Sequence, residues 1–295
     1  MNMEKQHKTK PGAIFHFDCK VHGRSTGANA IRLAAYRSGS RLRSELTGRI
    51  HNYTRKKEVL WSEILAPPHA PSWAKDRATL WNAVDRIEHR CDAQLAREVE
   101  VSLPLALSPP VHCQLLREWV SEVFVAAGMI ADICYHAKRG NPHAHILLTL
   151  RDIGPEKFGP KNRSWNNLIL VESWRASWAE IVNRYLDKAG LDIRIDHRSY
   201  KRQGLDLKPM KHVSRRMTFN SEHAAAVSLD NQITKLERDL LQQKQECDAA
   251  EKLAAAQATS STVTQHVPSA SRTRRRRPAR PQQTPAFTPG STPTF

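Results

Sequence analysis

The sequence predicts an α+β protein: an antiparallel or mixed central sheet with helices packed on its face, then a C-terminal helix and a disordered basic tail. Three observations carry this expectation. Segments of apolar/polar alternation are interleaved with segments of helical spacing. Two apolar runs, 129–136 and 143–150, are separated only by a short turn-forming stretch, so they run antiparallel as neighbours. From Thr259 onward the chain is rich in Ser, Thr and Pro, with an arginine run and no acidic residue, a composition unable to bury a core.

Taken in order, residues 1–12 read as a flexible basic lead, and residues 13–20 as a first strand. The Gly-rich link His22-Gly23-Arg24-Ser25-Thr26-Gly27 opens a helix expected over 28–43, with Ile31, Ala34, Ala35, Ser38 and Leu42 on one face. Residues 44–72 read as irregular up to the Pro67-Pro68 break, and 73–91 as a helix through Leu80, Trp81, Val84 and Ile87. A strand over 97–103 follows, with Val99, Val101 and Leu103 on one face and Glu98 and Glu100 on the other. Ser108 and Pro109 start a helix that Gly128 closes. After the paired strands come a Lys/Asn/Arg-rich loop (152–168), a helix over 171–189 ending at Gly190, and a short strand at 193–195. Residues 230–257 predict a last helix. These divide the chain into a lead (1–12), a principal domain (13–215), a helical segment (228–257) and a tail (258–295).

The formal net charge is +17, and taking away the six tail arginines still leaves +11. A field of that size attracts polyanions, and nucleic acid is the expected partner. Five cysteines lie without paired or metal-ligand spacing, as suits a reducing cytoplasm. No apolar signal segment and no run of about 18 apolar residues is present, so a cytoplasmic protein without stable membrane insertion is expected.

The chemistry-bearing residues cluster in the paired strands. His143 and His145 share a strand face, and the turn chemistry of Asn141-Pro142 would fold the strand carrying His136 back beside them. Three neutral imidazoles leave open positions on a metal; zinc, manganese, cobalt and nickel all accept such ligands, while magnesium prefers oxygen. Glu98 or Glu100 would orient a ligand histidine, or else simply face solvent. Tyr36, beside Ala34, Ala35 and Arg37 on the first helix, is a candidate nucleophile whose alternative role is packing. Arg24, Arg32, Arg37, Arg41, Arg43, Lys157, Lys161 and Arg163 would form a DNA-binding phosphate rim. Trp165 is a candidate for base stacking, whereas Trp174 and Trp178 read as core.

Phe15-His16-Phe17, the stretch Ala34 to Gly39 (AAYRSG), Leu95 to Val99 (LAREV) with Leu103-Pro104, Asn141 to His145 (NPHAH) with Thr149-Leu150-Arg151, and Ile193 to Arg198 (IRIDHR) followed by Gln203-Gly204 occur in one order. In that order they resemble the MobA/MobL (MobQ-type) mobilisation relaxases of the HUH endonuclease superfamily, over about residues 13–210. The resemblance implies a relaxase palm and a nickase specific for one strand at a plasmid origin of transfer. It implies Tyr36 as nucleophile forming a 5′-phosphotyrosyl link, and Glu98 as the acid that orients a ligand histidine. His136, His143 and His145 would hold a divalent ion, manganese or magnesium. Single-stranded origin DNA, relaxosome accessory proteins and a type IV secretion coupling protein are the partners it implies, with export alongside the DNA. The family motif usually begins near the initiator Met, so residues 1–12 read as either an extension or a misplaced start. A rolling-circle replication initiator and a non-catalytic metal-containing origin-binding protein are the alternative readings. Arg272–Arg280 reads as a DNA-binding, export or solubilising segment.

Overall fold

The computed structural model describes residues 15–209, 211 and 221–263. The expected lead, the tail from residue 264 on and its arginine run lie outside the described residues. The chain divides into two compact units, 1–205 and 206–295.

The first unit is built on a five-stranded, wholly antiparallel sheet. Its strands are β1 (Phe17–Gly23), β4 (Val59–Leu65), β5 (Gln94–Ser102), β6 (Ala131–Lys138) and β7 (Asn141–Leu148), in the order β1-β5-β7-β6-β4. Two small hairpins flank it, β2 (Arg41–Arg43) with β3 (Ile50–Asn52) and β8 (Arg151–Ile153) with β9 (Phe158–Lys161). Strand alternation gives the sheet two faces. Phe17, Val99, Val101, Ile133, Tyr135, Ala144, Ile146 and Leu148 form one of them. They bury against α3 (Pro109–Val120) and α4 (Leu168–Lys188), whose Trp119, Trp174 and Trp178 join Phe124 in an aromatic cluster with ring centroids 4.7–5.1 Å apart. The other face carries Ala96, Leu147 and Ile130 under Ile31 and Ala34 of α1 (Ala30–Ser38) and Leu80, Trp81 and Val84 of α2 (Arg77–Ile87). Helices thus cover the second face of the expected sheet as well as the first.

Local chemistry explains where the elements stop. The expected helix 28–43 ends at Ser38 because Gly39 turns left-handed (φ 63°) as its C-cap, which sends Leu42 into β2 instead of a helical face. A Cβ on Gly39 would meet Val59 Cγ2 at 3.1 Å, so β4 can pass this close to the helix end only over glycine. Residues 44–72, expected to be irregular, hold β3 and β4. Strand β4 is an edge strand that buries only part of its surface, so its sequence never acquired a clean apolar alternation. The helix expected over 73–91 starts at Arg77, where Asp76 caps Thr79 N. Ser108 sits at the N-cap of α3 without a side-chain cap bond, and α3 runs on through a π-helical turn, Ser121–Val125. The 193–195 segment is not a strand: the Asn183 amide takes both the N–H and the C=O of Ile195, replacing a neighbouring strand.

The hairpin joining β6 to β7 turns at Arg139-Gly140 (Gly140 φ 72°), not at Asn141-Pro142. Asn141 pairs with Lys138 and Pro142 with Ala137 inside the ladder. The Pro142 carbonyl accepts from Leu103 N just past the end of β5 at Ser102, and its ring nitrogen has no N–H to give the ladder.

One buried acid fixes α1 on α2. Asp85 (2% exposed) accepts from the Ala30 and Ile31 amides at the α1 N-terminus and from Arg24, at 3.1–3.5 Å. Burial pushes its carboxyl up from the ordinary range despite these bonds. Asp85→Ala strands two buried amides and is expected to lower unfolding free energy by about 1–3 kcal/mol in urea titration; an unchanged midpoint would contradict the assignment.

The second unit is α5 (Ser221–Val263), with Asp230 holding Lys208 and Lys211 at 3.0 Å each. It contains the helix expected over 230–257 and extends it at both ends.

Candidate functional site

Strand register brings the three histidines together. His136 faces His143 across the β6–β7 pair, and His145 is two residues along β7 on the same face. Their ring centroids lie 4.8–5.1 Å apart, and one ligand nitrogen from each falls within 4.8 Å of the others. His136 is 3% exposed and His145 9%, at the edge of the layer where α1 ends.

Each ring has one nitrogen committed to an acceptor. His136 Nε2 donates to the Arg37 carbonyl (2.7 Å), His143 Nδ1 to the Asn141 carbonyl (2.8 Å) and His145 Nδ1 to Glu98 Oε1 (2.7 Å). A carbonyl or carboxylate can only accept, so in each neutral imidazole the other nitrogen carries the lone pair. Burial lowers the His136 pKa to about 4 and also lowers that of His143, which keeps both in this ligand form near neutral pH. Three imidazoles with one ring nitrogen each within 4.8 Å of the others, each ring fixed by a hydrogen bond, form a donor set that fits a divalent cation.

Glu98 is the node behind the histidines. It is completely buried, and its two oxygens accept four N–H groups: Oε1 from Arg37 Nε (2.5 Å) and His145 Nδ1, Oε2 from Arg37 Nη2 (2.9 Å) and His22 Nε2 (2.5 Å). Burial by itself would raise its pKa, but the bonds from His145, His22 and Arg37 outweigh it and hold the carboxyl well below the carboxylate range. Glu100 sits one pleat further along the same face, 27% exposed in its side chain, 3.7 Å from His145 and 3.6 Å from Lys20. Of the two expected acids, Glu98 is the one bonded to a site histidine.

Tyr36 occupies the end of α1, one residue before the carbonyl that His136 touches, and is 40% exposed. Lys56 fixes it from the turn before β4: its ammonium lies 3.9 Å from the Tyr36 ring centroid and donates to the Tyr36 carbonyl (3.0 Å). Tyr53 meets the same ring edge-on at 5.1 Å. His22, Tyr53 and Lys56 were not singled out by the sequence reading. His22 lay in a Gly-rich link and the other two in a stretch read as irregular, with no periodic signal to mark them.

The expected phosphate rim is only partly available. Arg32, Arg41, Arg43, Lys157 and Arg163 are exposed. Arg24 instead spends its guanidinium on Asp85 and the Glu88 carbonyl, Arg37 on Glu98, and Lys161 on Glu88 and the Gln94 carbonyl. Trp165 is 5% exposed and belongs to the core with Trp174 and Trp178, so it offers no face to a base.

The sequence pattern of the MobA/MobL family matches residues 28–220. The chain belongs to the MobA/MobL family. Within the family it is 36% identical over 232 residues to the conjugal transfer protein TraA of Rhizobium radiobacter, covering 68% of this chain and 21% of that protein. It is 33% identical over 236 residues to the mobilization protein MobL of Acidithiobacillus ferridurans, covering 68% and 62%. The chain therefore spans about a fifth of the TraA relative's length. A solved structure described as the molecular basis of vancomycin resistance transfer in Staphylococcus aureus superposes with a TM-score of 0.61 at 33% identity, covering 64% of this chain and all of that one. The MobA/MobL match contains Tyr36, Glu98 and all three histidines, while His22 precedes it. No helix among the described residues is long and apolar enough to cross a membrane.

The low His136 and His143 pKa values set a pH dependence. Between the ordinary histidine range and about pH 4 the unfolded chain holds protons on these rings that the folded chain refuses, so stability falls as pH drops through that window. Glu98 stays ionised throughout it. Replacing His136 with Gln should flatten the slope of unfolding free energy between pH 6.5 and about 4; an unaltered slope would refute the assignment.

Proposed function

We propose that this MobA/MobL protein is a metal-dependent relaxase, which nicks one strand at an origin of transfer in single-stranded DNA and remains joined to the cut end through Tyr36. The observation that carries the reading is the clustering of three imidazoles at the end of the helix bearing Tyr36, joined to it through the Arg37 carbonyl on His136.

In this reading the Tyr36 phenolic oxygen attacks the scissile phosphorus. A phosphotyrosyl bond to the 5′ end forms as the bond to the 3′ oxygen breaks, and the proton lost by the phenol is balanced by one gained on the released 3′-hydroxyl. The bond energy is retained, so the released hydroxyl can reverse the step and reseal the strand. His136, His143 and His145 would hold the divalent ion, which, when bound, polarises the phosphate and offsets transition-state charge. Manganese or magnesium is the proposed ion, and imidazole donors favour the former. Glu98 holds the His145 ring with its lone pair forward, and Arg37 ties that carboxylate to the helix that positions Tyr36. Exposed Arg32, Arg41 and Arg163 would meet the DNA backbone, giving affinity without sequence information. Relaxosome accessory proteins and a type IV coupling protein are the partners proposed with this role, in the cytoplasm before export with the strand.

Tyr36→Phe is expected to bind single-stranded origin DNA within a few-fold of wild type while nicking falls by at least about a thousandfold and the covalent adduct disappears in denaturing gels. A Tyr36→Phe protein that still yields an adduct would assign the nucleophile elsewhere. Glu98→Gln is expected to weaken manganese binding about 10–100-fold by calorimetry, with unchanged affinity counting against its role. Measuring plasmid mobilisation beside copy number separates an origin of transfer from an origin of replication as the target.

A further inference from the structure

A broad, open surface cavity of about 450 Å³ lies along the segment joining β3 to β4, lined by Asn52, Tyr53, Arg55, Lys56 and Glu58. It adjoins Tyr36, because Tyr53 and Lys56 on its wall are the residues that touch the Tyr36 ring. Two backbone bonds tie down the wall: the Tyr53 amide donates to the Ser40 carbonyl, and the Lys56 amide to the Tyr53 carbonyl.

The chemistry of the lining is that of a nucleotide seat. Tyr53 is half-buried and meets Tyr36 at an interplanar angle of 90°, so its own ring plane is not stacked on that neighbour. The Asn52 carbonyl oxygen is occupied by the Thr54 amide and hydroxyl (3.2 and 2.9 Å), which leaves the amide N–H donors for an acceptor on a base edge. Arg55 is an exposed cation on its wall, while Lys56 is held by Tyr36 and by Glu58 at 3.6 Å. One aromatic plane, one amide and a cationic rim are the elements with which proteins hold an unpaired base and its phosphate.

We propose that this cavity seats one unpaired nucleotide flanking the cleaved phosphate, with Tyr53 stacking on the base, Asn52 reading its edge and Arg55 on a neighbouring phosphate. The proposal rests on the relaxase reading and adds to it a specificity pocket built by a segment outside the sheet. A nucleotide fixed there would hold the strand beside Tyr36.

The test uses full-length protein and fluorescein-labelled single-stranded oligonucleotides spanning the mapped nick region, intact or with one abasic site moved across it. Binding is read by anisotropy. One abasic position should weaken wild-type binding at least about 5-fold, Tyr53→Ala should weaken binding of intact DNA by a similar factor, and the two losses should not add. Tyr53→Phe should restore binding. Asn52→Ala, an exposed change that leaves the fold intact, should reduce discrimination at the same position, and Arg55→Ala should lower the salt slope by about one. Wild-type affinity in Tyr53→Ala, or losses that add at every position, would overturn the pocket. Slower nicking by Tyr53→Ala at unchanged affinity would also overturn it, reducing Tyr53 to support for the Tyr36 ring. Failure of the relaxase reading looks different: wild type would bind DNA yet form no adduct with any divalent ion.

Discussion

The buried Glu98 carboxylate is the interaction on which the rest of the site depends. Four N–H groups from three separate segments end on its two oxygens, joining β1 through His22, α1 through Arg37 and β7 through His145 to β5. A carboxylate with no exposed surface is costly unless every lone pair is used, and here the bidentate guanidinium and two imidazoles use them. Removing Arg37 or Glu98 would leave the other charge buried without its partner, which makes the node strongly cooperative.

From this node the geometry follows outward. Glu98 fixes the tautomer of His145, and the Arg37 side chain holds the end of α1 down on the sheet, where the Arg37 carbonyl fixes the tautomer of His136. The same residue thus orients one ring by its backbone and another through Glu98. Tyr36 is its neighbour in sequence, so the helix end that carries the proposed nucleophile is registered to the histidine cluster by adjacent bonds. Gly39 lets β4 pass close enough for Lys56 and Tyr53 to brace the Tyr36 ring from the other side.

Much of this was legible in the residues. The His-x-His alternation with His136 upstream required only strand periodicity, and alternation put Glu98 and Glu100 together on the face opposite Val99 and Val101, a face that proved to be buried at Glu98. The turn was misplaced by two residues because Asn-Pro is the stronger local signal, whereas the ladder closes at Arg139-Gly140. Three proposed phosphate ligands, Arg24, Arg37 and Lys161, proved to be committed to Asp85, Glu88 and Glu98. A cation's partner depends on residues more than sixty positions away in each case, and no local spacing reports it.

The sequence by itself determined the antiparallel strands, the convergence of three histidines and the family, because side-chain alternation and short motifs are properties of consecutive residues. Only the tertiary structure decided which acid backs the histidines, which cations stay exposed, and that residues 44–72 form two strands whose connecting turn braces Tyr36. Those outcomes are set by burial and by pairing between distant segments. A buried charge takes whichever partner packing brings to it, and an edge strand such as β4 exists because a neighbouring strand offers it a ladder.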